Sequence, residues 1–493
     1  MNSELIPLMV VFPLISAILL NLMHGKDKAV RIYGTLAMLV VLVLPLATVY
    51  GNHLFGAHPV VDVPTATLIN LPEVNLAIEY SFAFVQKALI FVLAAIATFA
   101  VVSHSSNEKK ASGVYLAMIM LSIAAVSAVV MANDIFNMFV FLEILTISQA
   151  AIVVAVGDIS SYKAALKYLI FGGIAGASIL LGIALLLGSF GVLNISDLNR
   201  AMAGNVTDPI VLTAVALLAI GWLFESGLFP FHTIKSNMYS SAKPDLGALL
   251  QTETKLVLVA VALVLMRLFG GFGSLTSLML AFSVLTLVFG AVMALIQKDF
   301  RRLLAYTAVS QAGLVGVAFG LGTSLGISAA IFHAINDALG MSILFISLYL
   351  IYDYAKTTEF SRLGGLLTRA PKLAFLQIIG IFIVSGVPPF NTYQSEFRIV
   401  DAAIQAGYPE FGVLVVLGTI LTFVALMKAF YLTFLNEDTE RFATKKVWIK
   451  NSIPKATLGA MVILIVACIV IGLFPAQIYD RLYDFTLTLV AGW

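Results

Sequence analysis

The chain of 493 residues is 61% hydrophobic and only 11% charged, with a mean hydropathy of +1.03, which places it outside the range of soluble domains. A net charge of +2 and the absence of any basic tract give no reason to expect nucleic acid as a partner. The single cysteine, Cys468, excludes a disulfide framework or a cysteine-ligated cluster. No CxxC, no GxGxxG after a strand and no histidine pair at haem spacing occurs, so no cofactor is expected in this chain.

A helix needs ~20 residues to cross the ~30 Å hydrocarbon core of a bilayer, and about fourteen apolar stretches have that length. They run over 4–23, 29–50, 78–102, 113–132, 135–156, 164–189, 209–231, 243–268, 274–296, 303–322, 325–352, 372–406, 411–435 and 456–476. The expected fold is therefore an all-α polytopic membrane protein. The first stretch lacks a basic n-region and a small-residue cleavage site, so it reads as a span. The twelfth is long enough to be a broken helix.

Charge placement orients these spans. If the odd-numbered connections face the cytoplasm, they hold most of the 28 lysines and arginines. Among these are Lys26, Lys109, Lys110, Lys163, Lys167, Lys235, Lys243, Lys298, Arg301 and Arg302, and the group from Arg441 through Lys445, Lys446 and Lys450 to Lys455. The opposite face keeps only Arg200, Arg267 and Arg481, a positive-inside bias that puts both termini outside. Lys87, Lys255, Arg398 and Lys428 fall within spans. Lys87 reads as near the outer interface and Lys428 as snorkelling toward the cytoplasmic end.

Ionisable residues also recur deep in the apolar stretches. Glu143 lies in FNMFVFLEILTISQAAIVVAV, Lys255 in QTETKLVLVAVALVLM, and His333 and Asp337 in FHAINDALGMSILF, while Glu225 and Glu396 flank proline motifs. A charge in hydrocarbon costs at least ~2.5–3.5 kcal/mol on insertion scales, so such a series marks an ion pathway for H+ or Na+. Blander readings exist: Glu143 as a helix-to-helix hydrogen-bond anchor, or Lys255 snorkelling from a helix end. His333 and Asp337 are four apart and within pairing distance on one helix side. Asp299, Arg301 and Arg302 read as anchors of a cytoplasmic loop.

An internal repeat links two of the stretches. SGLFPFHTIKS at 226–236 and SGVPPFNTYQS at 385–395 share Ser226/Ser385, Gly227/Gly386, Pro230/Pro389, Phe231/Phe390, Thr233/Thr392 and Ser236/Ser395. Proline inside a membrane segment breaks the helix and frees backbone carbonyls, which only protein or a polar cavity can receive. A simple packing kink would explain one copy. Two breaks in matching places of inverted halves point to a transporter whose ion route lies at the breaks. His232, beside the first break, either relays protons, given a reference pKa of ~6.5, or bonds at the break.

The run from Gly290 to Gly313, containing ALIQKDFRRLLAYTAVSQAG, resembles the signature of antiporter-like subunits. These are shared by respiratory complex I, Mrp-type cation/proton antiporters and energy-converting membrane-bound hydrogenases. NDIFNMFVFLEI at 133–144 resembles their fifth helix, especially the Mrp D type and hydrogenase-like relatives, and LFPFH at 228–232 and GVPPF at 386–390 also match. The resemblance covers nearly the full chain. It implies fourteen helices with broken helices seven and twelve, organised as helices 1–3 (1–112), a first repeat (113–268), an inverted second repeat (269–436), and a cytoplasmic loop with the last helix (437–493). It also implies partners: other membrane subunits of a larger complex in the cell membrane, with H+ and possibly Na+ as the transported ion. Such members pair the fifth-helix carboxylate, Glu143 here, with a seventh-helix lysine. An eighth-helix lysine, matching Lys255, an eleventh-helix histidine or lysine, matching His333, and a twelfth-helix Lys or Glu, matching Glu396, follow.

This chain departs from that pattern. Where relatives usually carry the seventh-helix lysine, it has Glu225; Asp337 stands where they often have histidine, and Met341 where they usually have lysine. Two nearby carboxylates cannot both ionise cheaply in low dielectric, so Glu143 and Glu225 would share a proton, recruit a cation or find another basic partner. Two readings follow. In one, Glu143, Glu225, Asp337 and Glu396 form an acidic route for H+ or Na+; in the other the route has degenerated and the subunit is a scaffold.

Overall fold

A computed structural model describes residues 5–23, 27–47, 65–71, 76–107, 113–202, 208–269, 273–436 and 453–490. Of the cations assigned to the cytoplasmic side, Lys26, Lys109, Lys110, Arg441, Lys445, Lys446 and Lys450 lie outside the described residues. The chain opens with α1 (Leu8–Leu22) and α2 (Asp27–Ala47), then an antiparallel ladder of β1 (Thr65–Leu71) and β2 (Leu76–Ser81), with Thr65 opposite Ser81 and Leu71 opposite Leu76. This hairpin occupies the start of the expected third span, which as a helix begins only at α3 (Phe84–Asn107). Then follow α4 (Gly113–Met131), α5 (Ile135–Val154), α6 (Ile159–Phe190), a short α7 (Ile195–Met202), α8 (Pro209–Glu225), α9 (His232–Ser241) and α10 (Pro244–Phe269). The second half comprises α11 (Gly273–Ile296), α12 (Phe300–Gly320), α13 (Ser324–Ala355), α14 (Leu366–Arg369), α15 (Pro371–Val384), α16 (Asn391–Gln405), α17 (Pro409–Phe430), α18 (Lys455–Leu473) and α19 (Ala476–Val490).

Among the described residues, eleven helices are long and apolar enough to cross a membrane, and three shorter apolar ones, α1, α8 and α15, accompany them. Short polar residues start several: Asp134, Asp158, Asp299 and Thr323 each accept a backbone N–H of the following first turn and cap α5, α6, α12 and α13. The most apolar windows of α10 and α13 are 100% buried, whereas those of α6, α11, α17 and α18 are only 39% buried. Helices buried on every side thus form a centre, ringed by helices with one face turned outward. Encasement is what lets α10 carry five consecutive polar residues, Gln251 to Lys255, all buried, since lipid would leave them without partners.

The two breaks are matched bond for bond. After α8, Ser226, Gly227 and Leu228 donate to the carbonyls of Trp222, Phe224 and Leu223; after α15, Ser385, Gly386 and Val387 donate to those of Ile381, Ile383 and Phe382. Gly227 and Gly386 take φ of +67° and +62°, the left-handed turn that lets each helix stop. Phe231 and Phe390 then bond back to Leu228 and Val387, and α9 and α16 resume. The seventh segment therefore continues past residue 231. Lys235, assigned from charge counting to a cytoplasmic connection, is instead on α9 and 2% exposed.

Candidate ion route

The first polar cluster is built on α5, α6, α8, α9 and α10. Lys235 Nζ donates to Tyr168 Oη at 2.9 Å and lies 4.0 Å from Glu225 Oε2. Tyr168 Oη donates to Gln149 Oε1, and Gln149 Nε2 donates to Glu253 Oε2, both at 2.8 Å. A directed hydrogen-bond chain thus runs from an ammonium to a carboxylate, each bond polarising the next. Thr146 Oγ1 donates to Glu225 Oε1 at 3.3 Å. The rings of Tyr168 and Phe224 lie 4.7 Å and 5.6 Å from the ammonium and add cation–π attraction. Glu143 sits half-buried on α5 with its carboxylate directly over Gly176 of α6, where any Cβ would collide with it.

The second cluster joins α10 to α13. Lys255 Nζ donates to Asp337 and, at 2.5 Å, to Gln251 Oε1, with both Lys255 and Asp337 buried. Lys255 is thus a paired interior charge, not a snorkelling one. Asp337 bonds to Lys255, while the neighbouring His333 turns elsewhere: its Nδ1 is 3.0 Å from Ser395 Oγ and its Nε2 is 2.9 Å from Gln311 Oε1. Ser395 Oγ also reaches the Thr392 carbonyl at 3.0 Å. Its one proton can therefore point to the ring or away from it, and both protonation states of His333 have partners. Asn336 and Asn391 bond reciprocally, tying α13 to the second break. Glu396, 7% exposed, lies over Gly386 as Glu143 lies over Gly176.

The other candidate side chains meet aromatic rings, carbonyls and hydroxyls. The His232 ring stacks on Phe229 and Phe289 at 5.5 Å and 6.2 Å. Arg398 lies over Tyr479 and bonds Gln394. Lys428 Nζ caps the carbonyls of Leu295 and Gln297 at the end of α11, and Asp299 holds Thr358 as a loop anchor. Phe229 N–H donates to Thr286 at the first break, where Pro230 lies, and the backbone of Pro389 packs against Gly472 of α18. Glu225, expected to face Glu143, has found Lys235 as its basic partner. Lys235 and Glu253 were missed from sequence. Glu225, Glu253, Asp337 and Glu396 each present an oxygen without a hydrogen-bond partner among the described residues.

A helical bundle with two matched breaks and interior ion pairs defines a polytopic membrane protein of the antiporter-like class. Residues 132–422 match the family described as "NADH:quinone oxidoreductase/Mrp antiporter, TM". The chain belongs to that family, as an antiporter-like membrane subunit. It is 38% identical over 97% of both chains to an uncharacterized protein of Methanocaldococcus jannaschii. It is 26% identical to the D-type subunit of the Na(+)/H(+) antiporter of Alkalihalophilus pseudofirmus, over 99% of this chain and 98% of that one. Its fold is that of a chain in the membrane-bound sulfane sulfur reductase, an archaeal respiratory membrane complex, with a TM-score of 0.85 over 98% of this chain and 97% of that one at 24% identity.

Proposed function

We propose that this subunit moves H+, Na+ or both as part of a multisubunit complex in the cell membrane, of the Mrp D or membrane-bound hydrogenase-like kind, with both termini outside. The carrying observation is the set of four buried carboxylates, each with an oxygen that no hydrogen bond fills among the described residues, interleaved with Lys235 and Lys255 around the two breaks. Lys235 stands between Glu225 and the chain leading to Glu253, so a small movement of its ammonium favours one carboxylate or the other, and the one released takes a proton or a Na+. Lys255, Asp337, His333 and Glu396 continue the route into the second repeat. Glu143 is its end at the surface of this subunit. Phe136, Val140 and Ile147 share its side of α5 and are 42%, 36% and 58% exposed, an apolar face suited to a neighbouring membrane subunit.

Vesicles reconstituted with the intact complex test this reading. Glu143→Gln keeps the shape of the side chain and removes its exchangeable charge, so assembly should be preserved and ion movement lost. Undiminished H+ and Na+ movement in that variant, and in Lys255→Gln, would leave the scaffold reading standing instead.

A further inference from the structure

Away from the buried charges, a polar cleft of about 1050 Å³ opens between the start of α6, the end of α9, the α11–α12 corner and the turn after α17. Its lining includes Lys163 and Lys167 on α6 and Lys298 and Arg302 at the α11–α12 corner. None of these four forms an ion pair among the described residues, and Lys163, Lys167, Lys298 and Arg302 are all exposed. The carboxylates that line the cleft are already engaged. Asp299 accepts the Thr358 hydroxyl and caps α12, and Glu359 is paired with Arg362 at 3.0 Å. Cations at helix ends are ordinary on the cytoplasmic side of a membrane protein. Facing walls of them around one volume, with its acids engaged elsewhere, are the complement of an anion.

The mouth of the cleft indicates the kind of anion. Ile296 lines the cleft, and on the elements that form it Leu166 and Ile170 of α6, Val292 of α11, and Tyr431 and Leu435 after α17 are, like Ile296, 42% to 60% exposed. They belong to outward-facing helices whose apolar sides meet acyl chains. A molecule with a phosphodiester head and apolar tails meets both surfaces at once, whereas a free phosphate meets only the first. We propose that this cleft is a binding site for the headgroup of an anionic phospholipid, with Lys163, Lys167, Lys298 and Arg302 as its phosphate ligands.

The intact complex, purified in mild detergent and stripped of lipid, is titrated with short-chain phosphatidylglycerol or with phosphatidylcholine of equal chain length, and bound lipid is counted by native mass spectrometry. Saturable phosphatidylglycerol binding and little phosphatidylcholine binding are expected. Lys163→Gln with Lys298→Gln, both surface substitutions, should weaken the phosphatidylglycerol affinity about tenfold or more. Equal retention of the two lipids by the unaltered complex would overturn the proposal, as would unchanged affinity in the variant. Loss of the bound lipid to millimolar inorganic phosphate would overturn it in favour of a small-anion site. So would cross-linking from Lys163→Cys to an acidic segment of a neighbouring subunit in a complex that binds no phosphatidylglycerol.

Discussion

An ammonium with 2% exposure is tolerable only while its partners stay in place, and Lys235 has Tyr168 and Glu225 to hold it. Removing one member of a buried pair leaves the other uncompensated, at a cost of about 3–5 kcal/mol. Lys235→Gln should therefore lower the yield of assembled complex and stop ion movement. The double variant Lys235→Gln with Glu225→Gln should recover assembly but not transport. Normal transport in the single variant would remove Lys235 from the route. Restoring the lysine that relatives usually carry, by Glu225→Lys alone, sets two ammoniums side by side and should reduce assembly; adding Lys235→Gln should relieve it. Farther along, Ser395→Ala deprives His333 of a hydroxyl that serves both its protonation states, whereas Ser395→Thr keeps the hydroxyl. Transport should fall in the first and persist in the second, measured as ΔpH-driven flux. An equal loss in both would assign Ser395 to packing.

Two glycines set where the carboxylates lie. Gly176 of α6 lets Glu143 rest on the helix backbone, and Gly386, left-handed at +62°, does the same for Glu396 at the second break. Gly176→Ala should displace only the mobile end of Glu143, so the fold survives while transport drops; wild-type flux would show that this position is immaterial. Gly386→Ala adds a backbone penalty of roughly 1–2 kcal/mol for a left-handed non-glycine residue, so assembly should fall as well. The polytopic helical class and the chain breaks at 226–231 and 385–390 were legible in the sequence, because hydropathy and proline act through local rules that the bilayer enforces. Lys235 was not, because an apolar window ends at Phe231 and charge counting sends any later lysine to a loop. The repeat itself held the missing signal: Lys235 aligns with Gln394, which lies inside an expected membrane stretch, so α9 should have been read as the counterpart of α16. Glu253 lies within QTETK, a polar run that only an encased helix can hold, and encasement is a property of the neighbouring helices and not of this segment. The His333–Asp337 pairing failed for a different reason. Spacing of four makes two side chains neighbours, but a lysine on α10 competes for the acid with full charge, and sequence spacing says nothing about a facing helix.

Every assignment of an entrance and an exit rests on which way the bundle sits in the membrane. Among the described residues, Lys163, Lys167, Lys298, Arg301 and Arg302 of the odd-numbered connections line a single cleft, together with Lys428 of α17. Arg200 and Arg267 lie at α7 and the end of α10, with Arg267 bonded to Asn133 and Ser196. Translocating clustered cations is unfavourable, so the cleft end should face the cytoplasm. Cysteine labelling tests this cleanly, because the native Cys468 is buried and should be silent toward a membrane-impermeant maleimide. Arg362 and Arg200 are exposed at opposite ends by this reading, with side chains 63% and 78% accessible; each makes a surface pair, to Glu359 and Asp197, that contributes little to stability, and Arg200 also donates to the Ser196 carbonyl at 3.4 Å. Arg200→Cys should label in intact cells and Arg362→Cys only in inside-out vesicles. The reverse pattern would invert the bundle and exchange the uptake and release sides of the route. Labelling of both in intact cells would mean that the connections between these two positions cross the membrane a different number of times, and the pairing of the two broken segments as inverted copies would fall with it.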